Sequence, residues 1–169
     1  MDNVNTTEKF DFSKLLDQPI KDGNGDTPTR VLFICSGNTC RSPMAAAVLN
    51  HLGKGKYVAF SAGISAFNGD SISQEAVTAL ENAGIPCTDN NNYKAHSSRP
   101  ISEELLKSCD RAVAISSRHL FALLRAFPDH AEKLTVMSKD ISDPYMLGQA
   151  EYDSCLAEIT ECIKDMFSL

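Results

Sequence analysis

At 169 residues, with 43% hydrophobic and 22% charged residues, the chain has the length and composition of one soluble domain with its own core. A net charge of −6 excludes nucleic-acid binding through a broad basic face, so any phosphate must be held in one local pocket. Six cysteines are too sparse for a disulfide scaffold, no C-x2-C pair occurs, and the four histidines do not cluster with cysteines at zinc spacing, so no metal or other cofactor is expected.

In chain order, residues 1–28 are polar and include KDGNGDTPT, a dense group of turn formers. They read as an N-terminal extension, poorly ordered or loosely docked, in which DFSKLLDQPI has room for one or two helical turns. The start MDNVNTTEKF has neither the basic opening nor the apolar stretch of a secretory signal. No apolar run approaches the ~20 residues that span a bilayer. A cytoplasmic protein without a membrane partner is the expectation.

Residues 29–169 form the expected domain. VLFIC, at Val31–Cys35, is a short apolar run suited to a strand buried on both faces. SPMAAAVLNHLG follows as a helix, with Met44, Ala47, Val48 and Leu52 on one face and Gly53 at its end. YVAFSAG reads as the second strand and ISQEAVTALENAGI as a helix capped by Ser73. ISEELLKSC is a shorter helix, DRAVAIS the third strand, and SRHLFALLRAF a helix stopped by Pro128. KLTVMS is the fourth strand, and EYDSCLAEITECIKDMF a long amphipathic closing helix. This alternation predicts an α/β fold: a doubly wound, three-layer, four-stranded parallel sheet with helices on both faces. Ligands bind at the carboxyl ends of such strands, so chemistry is expected just after Ile34, Gly63, Ile115 and Met137.

The segment Cys35-Ser36-Gly37-Asn38-Thr39-Cys40-Arg41-Ser42-Pro43 leaves the first strand and opens the first helix. Gly37 and Asn38 tolerate left-handed backbone angles, so the loop can turn several N–H groups inward at the positive end of a helix. Ser42 suits an N-cap and Pro43 the first helical position. The result is a cradle for a tetrahedral dianion. Cys35 would lie at its base, where the amide dipoles and Arg41 favour a nucleophilic thiolate, and the planar fork of Arg41 would grip two phosphate oxygens. Transfer of the phosphoryl group needs an acid for the leaving group. Asp143, in the only Asp-Pro pair of the chain, follows the fourth strand on the same rim, with Tyr145 as a wall and Asp140 as a competitor.

Taken together, VLFICSGNTCRSP, SAGIS and DPY resemble the low-molecular-weight protein-tyrosine-phosphatase family, over residues 29–169 and in the same order. The resemblance implies a phosphatase-I-like fold and a metal-independent phosphomonoesterase. In it Cys35 becomes phosphocysteine and Arg41 binds the phosphoryl oxygens with the N–H groups of residues 36–41, that is of Ser36, Gly37, Asn38, Thr39, Cys40 and Arg41 itself. Asn38 would hold the loop, the Ser42 hydroxyl would support the thiolate, and Asp143 would act as acid and then as base. Cys40 matches a loop cysteine able to form a reversible disulfide with Cys35. The implied partners are a phosphorylated protein substrate, and inorganic phosphate as product and inhibitor.

Two features depart from the family pattern: 34 residues precede the cysteine, and Tyr145 is followed by Met146 rather than a second aromatic. Thr39 stands where tyrosine-specific members often carry isoleucine and is similar to bacterial members that hydrolyse phosphoarginine, so both substrates remain open. Two other classes compete. A thiol-dependent arsenate reductase would need a relay of close cysteines, but Cys87 and Cys109 are 22 residues apart, and it has no use for Asp143. A phosphate-binding module without catalysis has no use for Cys35 and Asp143 together. His96 reads as surface or hydrogen-bonded structure, Cys155 and Cys162 as packing, and Arg118 and Arg125 as a solvated face.

Overall fold

The four apolar runs become β1 (Thr29–Cys35), β2 (Tyr57–Gly63), β3 (Arg111–Ala114) and β4 (Leu134–Val136) in a computed structural model that describes residues 27–169. The expected extension over 1–28, with its short helix, lies outside the described residues except for its last two. All pairings are parallel and the strand order is β2-β1-β3-β4. Alternation along β1 sends Val31, Phe33 and Cys35 to one face and Leu32 and Ile34 to the other, each into a separate apolar cluster. That is the three-layer, doubly wound arrangement expected from the sequence.

Helices α1 (Arg41–Leu52), α2 (Gln74–Asn82) and α5 (Gln149–Phe167) cover the first face. Helices α3 (Glu103–Lys107) and α4 (Ser117–Ala126) cover the second. Single 3-10 turns occupy Tyr93–Ala95 and Pro128–Lys133. Phe167, near the end of α5, meets Phe33 and Tyr57 edge-on at 6.5 and 5.1 Å, which anchors the closing helix to the sheet. Among the described residues no helix is long and apolar enough to cross a membrane.

Helix α1 differs from its expected one-sided form. Every residue from Arg41 to Leu49 is buried, because α2 and α5 close over the side turned from the sheet, and Ala45, Ala46 and Ala47 permit that close approach. The helix also begins earlier than expected. Cys40 holds the N-cap position without a side-chain cap, Ser42 and Pro43 are the second and third helical residues, and the Ser42 hydroxyl is engaged elsewhere. The first N–H groups of α1 are thereby left without a side-chain cap.

Because β1 has β2 on one side and β3 on the other, the chain winds in opposite directions from its carboxyl end. Ligands bind at such switch points, and Cys35 ends β1 at this one.

Candidate active site

Cys35 ends β1, 2% exposed, and the next six residues bend back over it into α1. The bend rests on Asn38, which is fully buried and left-handed at φ 58. Its Nδ2 donates to Ser42 Oγ at 3.0 Å and to Ser61 Oγ at 2.9 Å. Its Oδ1 accepts from the Arg99 amide at 3.0 Å, and its carbonyl accepts from His96 Nε2 at 2.7 Å. A residue that tolerates positive φ and also fills four hydrogen-bonding roles fits the position on both counts.

Ser42 Oγ lies 2.9 Å from Cys35 Sγ. With Asn38 donating to that oxygen, the single hydroxyl proton of Ser42 is directed to the sulfur or to the Ala62 carbonyl 3.4 Å away. Of the two, the sulfur is the nearer. Gly63 abuts the same loop. A Cβ there would come within 2.4 Å of the Ser36 carbonyl oxygen and 3.0 Å of the Asn38 nitrogen, so only glycine lets β2 lie this close.

Arg41, 3% exposed, reaches across to the segment after β4. Its Nη2 meets Asp143 Oδ2 at 2.9 Å and its Nη1 donates to the Ile141 carbonyl at 3.3 Å. Asp143 is 44% exposed, and its Oδ1 accepts from the Tyr145 amide at 3.3 Å. Asp140, the competing acid, is directed elsewhere: its Oδ1 accepts from both the amide and the hydroxyl of Ser117 at 2.8 Å, which caps α4 and lowers its carboxyl pKa. The guanidinium six residues after Cys35 is thus joined to one carboxylate of the segment after β4, and Asp140 is not that carboxylate.

The remaining expected residues divide between cradle and rim. Gly37 is exposed, and Ser36 and Thr39 are half-buried. The Thr39 hydroxyl has a weak contact with Cys40 Sγ at 3.6 Å, and its carbonyl accepts from the Ser73 amide. Cys40 Sγ sits 3.1 Å from Tyr152 Oη on α5, and burial together with this contact raises the phenol pKa. Tyr145, Met146 and Leu147 form an exposed apolar rim beside Asp143, with Phe67 exposed in the segment after β2. All six cysteines are free thiols. Cys155 and Cys162 are buried in the core, and Arg118 and Arg125 are exposed, as expected. Among the described residues no group of His, Cys, Asp or Glu is placed to hold a metal ion.

Sequence reasoning missed Ser61, Gly63 as a contact to the loop, and His119. His119 is 3% exposed, with Nε2 2.9 Å from Ser36 Oγ and Nδ1 2.8 Å from Ser116 Oγ. Burial, then Arg41 and Arg118, push its pKa down to about 4. Burial does the same to His96, against the opposing effect of its bond to Asn38. Both imidazoles are neutral near neutral pH.

Residues 30–168 match the family described as low molecular weight phosphotyrosine protein phosphatase. A protein-arginine-phosphatase of Geobacillus stearothermophilus is 33% identical over 125 residues, which cover 70% of this chain and 80% of that protein. A low molecular weight protein-tyrosine-phosphatase of Acinetobacter johnsonii is 30% identical over 139 residues, covering 80% and 93%. Among solved structures, the YwlE arginine phosphatase from Geobacillus stearothermophilus superposes with a TM-score of 0.75 at 30% identity, over 83% of this chain and 92% of that one.

Two expectations follow from this geometry. Gly63→Ala forces the Ser36–Asn38 bend to move, so phosphate affinity should fall about tenfold with ~1–3 kcal/mol lost in stability. Calorimetric phosphate binding and thermal unfolding read the two effects. Second, His96 and His119 are held near 4 in the folded chain against an ordinary 6.5, so the unfolded chain binds more protons between those values. Their stabilising contribution is complete above about pH 6.5 and is lost as pH falls through about 4. Unfolding free energy should drop by roughly 3–4 kcal/mol between about pH 7 and pH 5, and a flat denaturation profile across that window would contradict neutral buried imidazoles.

Proposed function

The chain belongs to the low-molecular-weight phosphotyrosine protein phosphatase family, and on that premise we propose that it hydrolyses phosphorylated protein side chains through a phosphocysteine on Cys35. The observation that carries this reading is that one bend between β1 and α1 holds Cys35 Sγ 2.9 Å from the Ser42 hydroxyl and sends Arg41 to Asp143. In the first step Sγ attacks phosphorus, the sulfur–phosphorus bond forms, and the bond to the leaving atom breaks as Asp143 gives that atom its proton. In the second step water attacks the phosphocysteine, Asp143 takes a proton from it, and inorganic phosphate departs as Cys35 thiolate is regenerated. The loop amides and the fork of Arg41 stabilise the charge on the transferring oxygens.

The Arg41–Asp143 ion pair has a role in this cycle. An arriving phosphoryl group competes with the carboxylate for the guanidinium. Once Arg41 turns to the phosphoryl oxygens, the Asp143 carboxyl is released from it and is free to face the leaving atom. The catalytic unit spans residues 29–169, with 1–28 outside it. Its partners are a phosphorylated protein and inorganic phosphate, and free thiols together with the acidic charge suit a cytoplasmic setting without nucleic acid or membrane.

Phosphoarginine is the alternative to phosphotyrosine as the substrate. Thr39 favours it, because among the described residues its hydroxyl has only a sulfur at 3.6 Å as a side-chain partner and can bond a guanidinium or the attacking water. A relative with 33% identity is a protein-arginine-phosphatase.

Turnover of p-nitrophenyl phosphate tests the chemistry. Cys35→Ser should lower kcat at least about a thousandfold. Asp143→Asn should lower it roughly a hundredfold or more, with larger loss for a poorer leaving group. Equal activity of Cys35→Ser and the native protein would refute the scheme. Specificity is read from parallel kinetics on phosphotyrosine and phosphoarginine peptides. Thr39→Ile should shift the kcat/KM ratio toward phosphotyrosine by about tenfold or more, and an unmoved ratio would remove Thr39 from the argument.

A further inference from the structure

His119 belongs to none of the steps above, yet it joins the phosphate loop to the end of β3. Ser36, the residue after the nucleophile, is held from two sides. Its carbonyl accepts from the Ser65 amide at 3.0 Å and lies against Gly63, while its hydroxyl meets His119 Nε2 at 2.9 Å. The other ring nitrogen meets Ser116 Oγ at 2.8 Å. One nitrogen donates and the other accepts, and because each hydroxyl can serve either way, both tautomers are satisfied.

The local sequence forgoes something for this contact. Ser116 occupies the N-cap position of α4, where a serine hydroxyl ordinarily accepts from the helix's first free amides, yet it makes no such bond. Its hydroxyl is turned to His119, and Asp140 from the segment after β4 caps Ser117 instead. The ring is almost wholly buried and lies close enough to Arg41 for the guanidinium to oppose its protonation. Packing alone would not call for two hydroxyl partners on opposite sides of one ring.

We propose that His119 is a positioning residue of the phosphate loop: as a bridge from Ser116 to Ser36 it fixes the first peptide of the cradle, whose N–H must face the phosphoryl oxygens. The mechanism follows from the chain itself. Ser36 is one bond from Cys35, so a swing of its side chain rotates the peptide that presents its amide, and a cradle amide misplaced by a fraction of an ångström stabilises the transferring group less.

This inference deepens the phosphatase reading and rests on it, but inorganic-phosphate binding tests it apart from turnover. Glutamine in place of histidine puts an amide group near the Nε2 position, and asparagine puts one near Nδ1. His119→Gln therefore keeps a partner for Ser36 and loses Ser116, whereas His119→Asn does the reverse. Phosphate affinity by calorimetry and kcat/KM on p-nitrophenyl phosphate are measured for both, with thermal unfolding alongside. His119→Gln should stay within about threefold of the native values, and His119→Asn should lose about tenfold in both. Ser36→Ala should match His119→Asn, and the double variant should be no worse than either, since all remove one interaction. The opposite order, with glutamine impaired and asparagine near native, assigns His119 to the start of α4 and overturns the proposal, as do native values throughout. Should neither histidine variant fold, Ser36→Ala decides alone: a tenfold loss of phosphate affinity upholds the proposal and an unchanged affinity overturns it. A native protein that binds phosphate without turnover would sink the phosphatase reading and leave this test intact.

Discussion

The site depends on a single buried amide. Asn38 is fully enclosed, holds a left-handed backbone, and uses its side-chain nitrogen, side-chain oxygen and carbonyl to tie the loop to α1, to β2 and to the segment around His96 and Arg99. Each contact fills a polar group that would otherwise be buried without a partner, at a cost of ~1–3 kcal/mol apiece. A loop whose amides turn inward for an anion, as proposed for residues 36–41, needs external bracing because those dipoles repel one another. Asn38 supplies it, and through Ser42 it also directs a hydroxyl toward the sulfur.

The topology explains why so few residues suffice. With β1 flanked on both sides and every pairing parallel, the carboxyl ends of all four strands lie along one edge of the sheet. β1 contributes the sulfur, and β2 a glycine that lets the loop lie flat. The end of β3 leads to Ser116 and His119, and the end of β4 to Ile141 and Asp143. Two apolar clusters, one on each face of the sheet, hold those ends in register. Catalytic groups far apart in the chain therefore share a common rigid support.

Much of this was legible in the sequence because it is local. Strand and helix periodicity, Ser73 as a cap, and the left-handed turn at Asn38 follow from neighbouring residues, whereas Gly37, expected to share that turn, is not left-handed. Contacts across the chain were less accessible. Ser42 has the right residue type for a cap, but Cys35, seven residues away, and Asn38 claim its hydroxyl. Asp140 and Asp143 look alike in sequence, and only the packing of α4 beside the segment after β4 gives the former to Ser117 and the latter to Arg41. His119 carried no signal at all, since its loop partner is 83 residues distant. The full burial of α1 was likewise hidden, because its covering helices come later in the chain.

The pairing of Arg41 with Asp143 has a wider consequence. A ligand-free pocket of this kind carries its own counter-ion, so entry of any solute is an exchange reaction between two anions for one guanidinium. A monovalent ion such as chloride or acetate has little to gain over a tethered carboxylate, whereas a dianion with three acceptor oxygens has more to offer the guanidinium. Under the proposed chemistry, discrimination between a phosphoryl group and simple salts would begin at this exchange, before any part of a protein substrate is met.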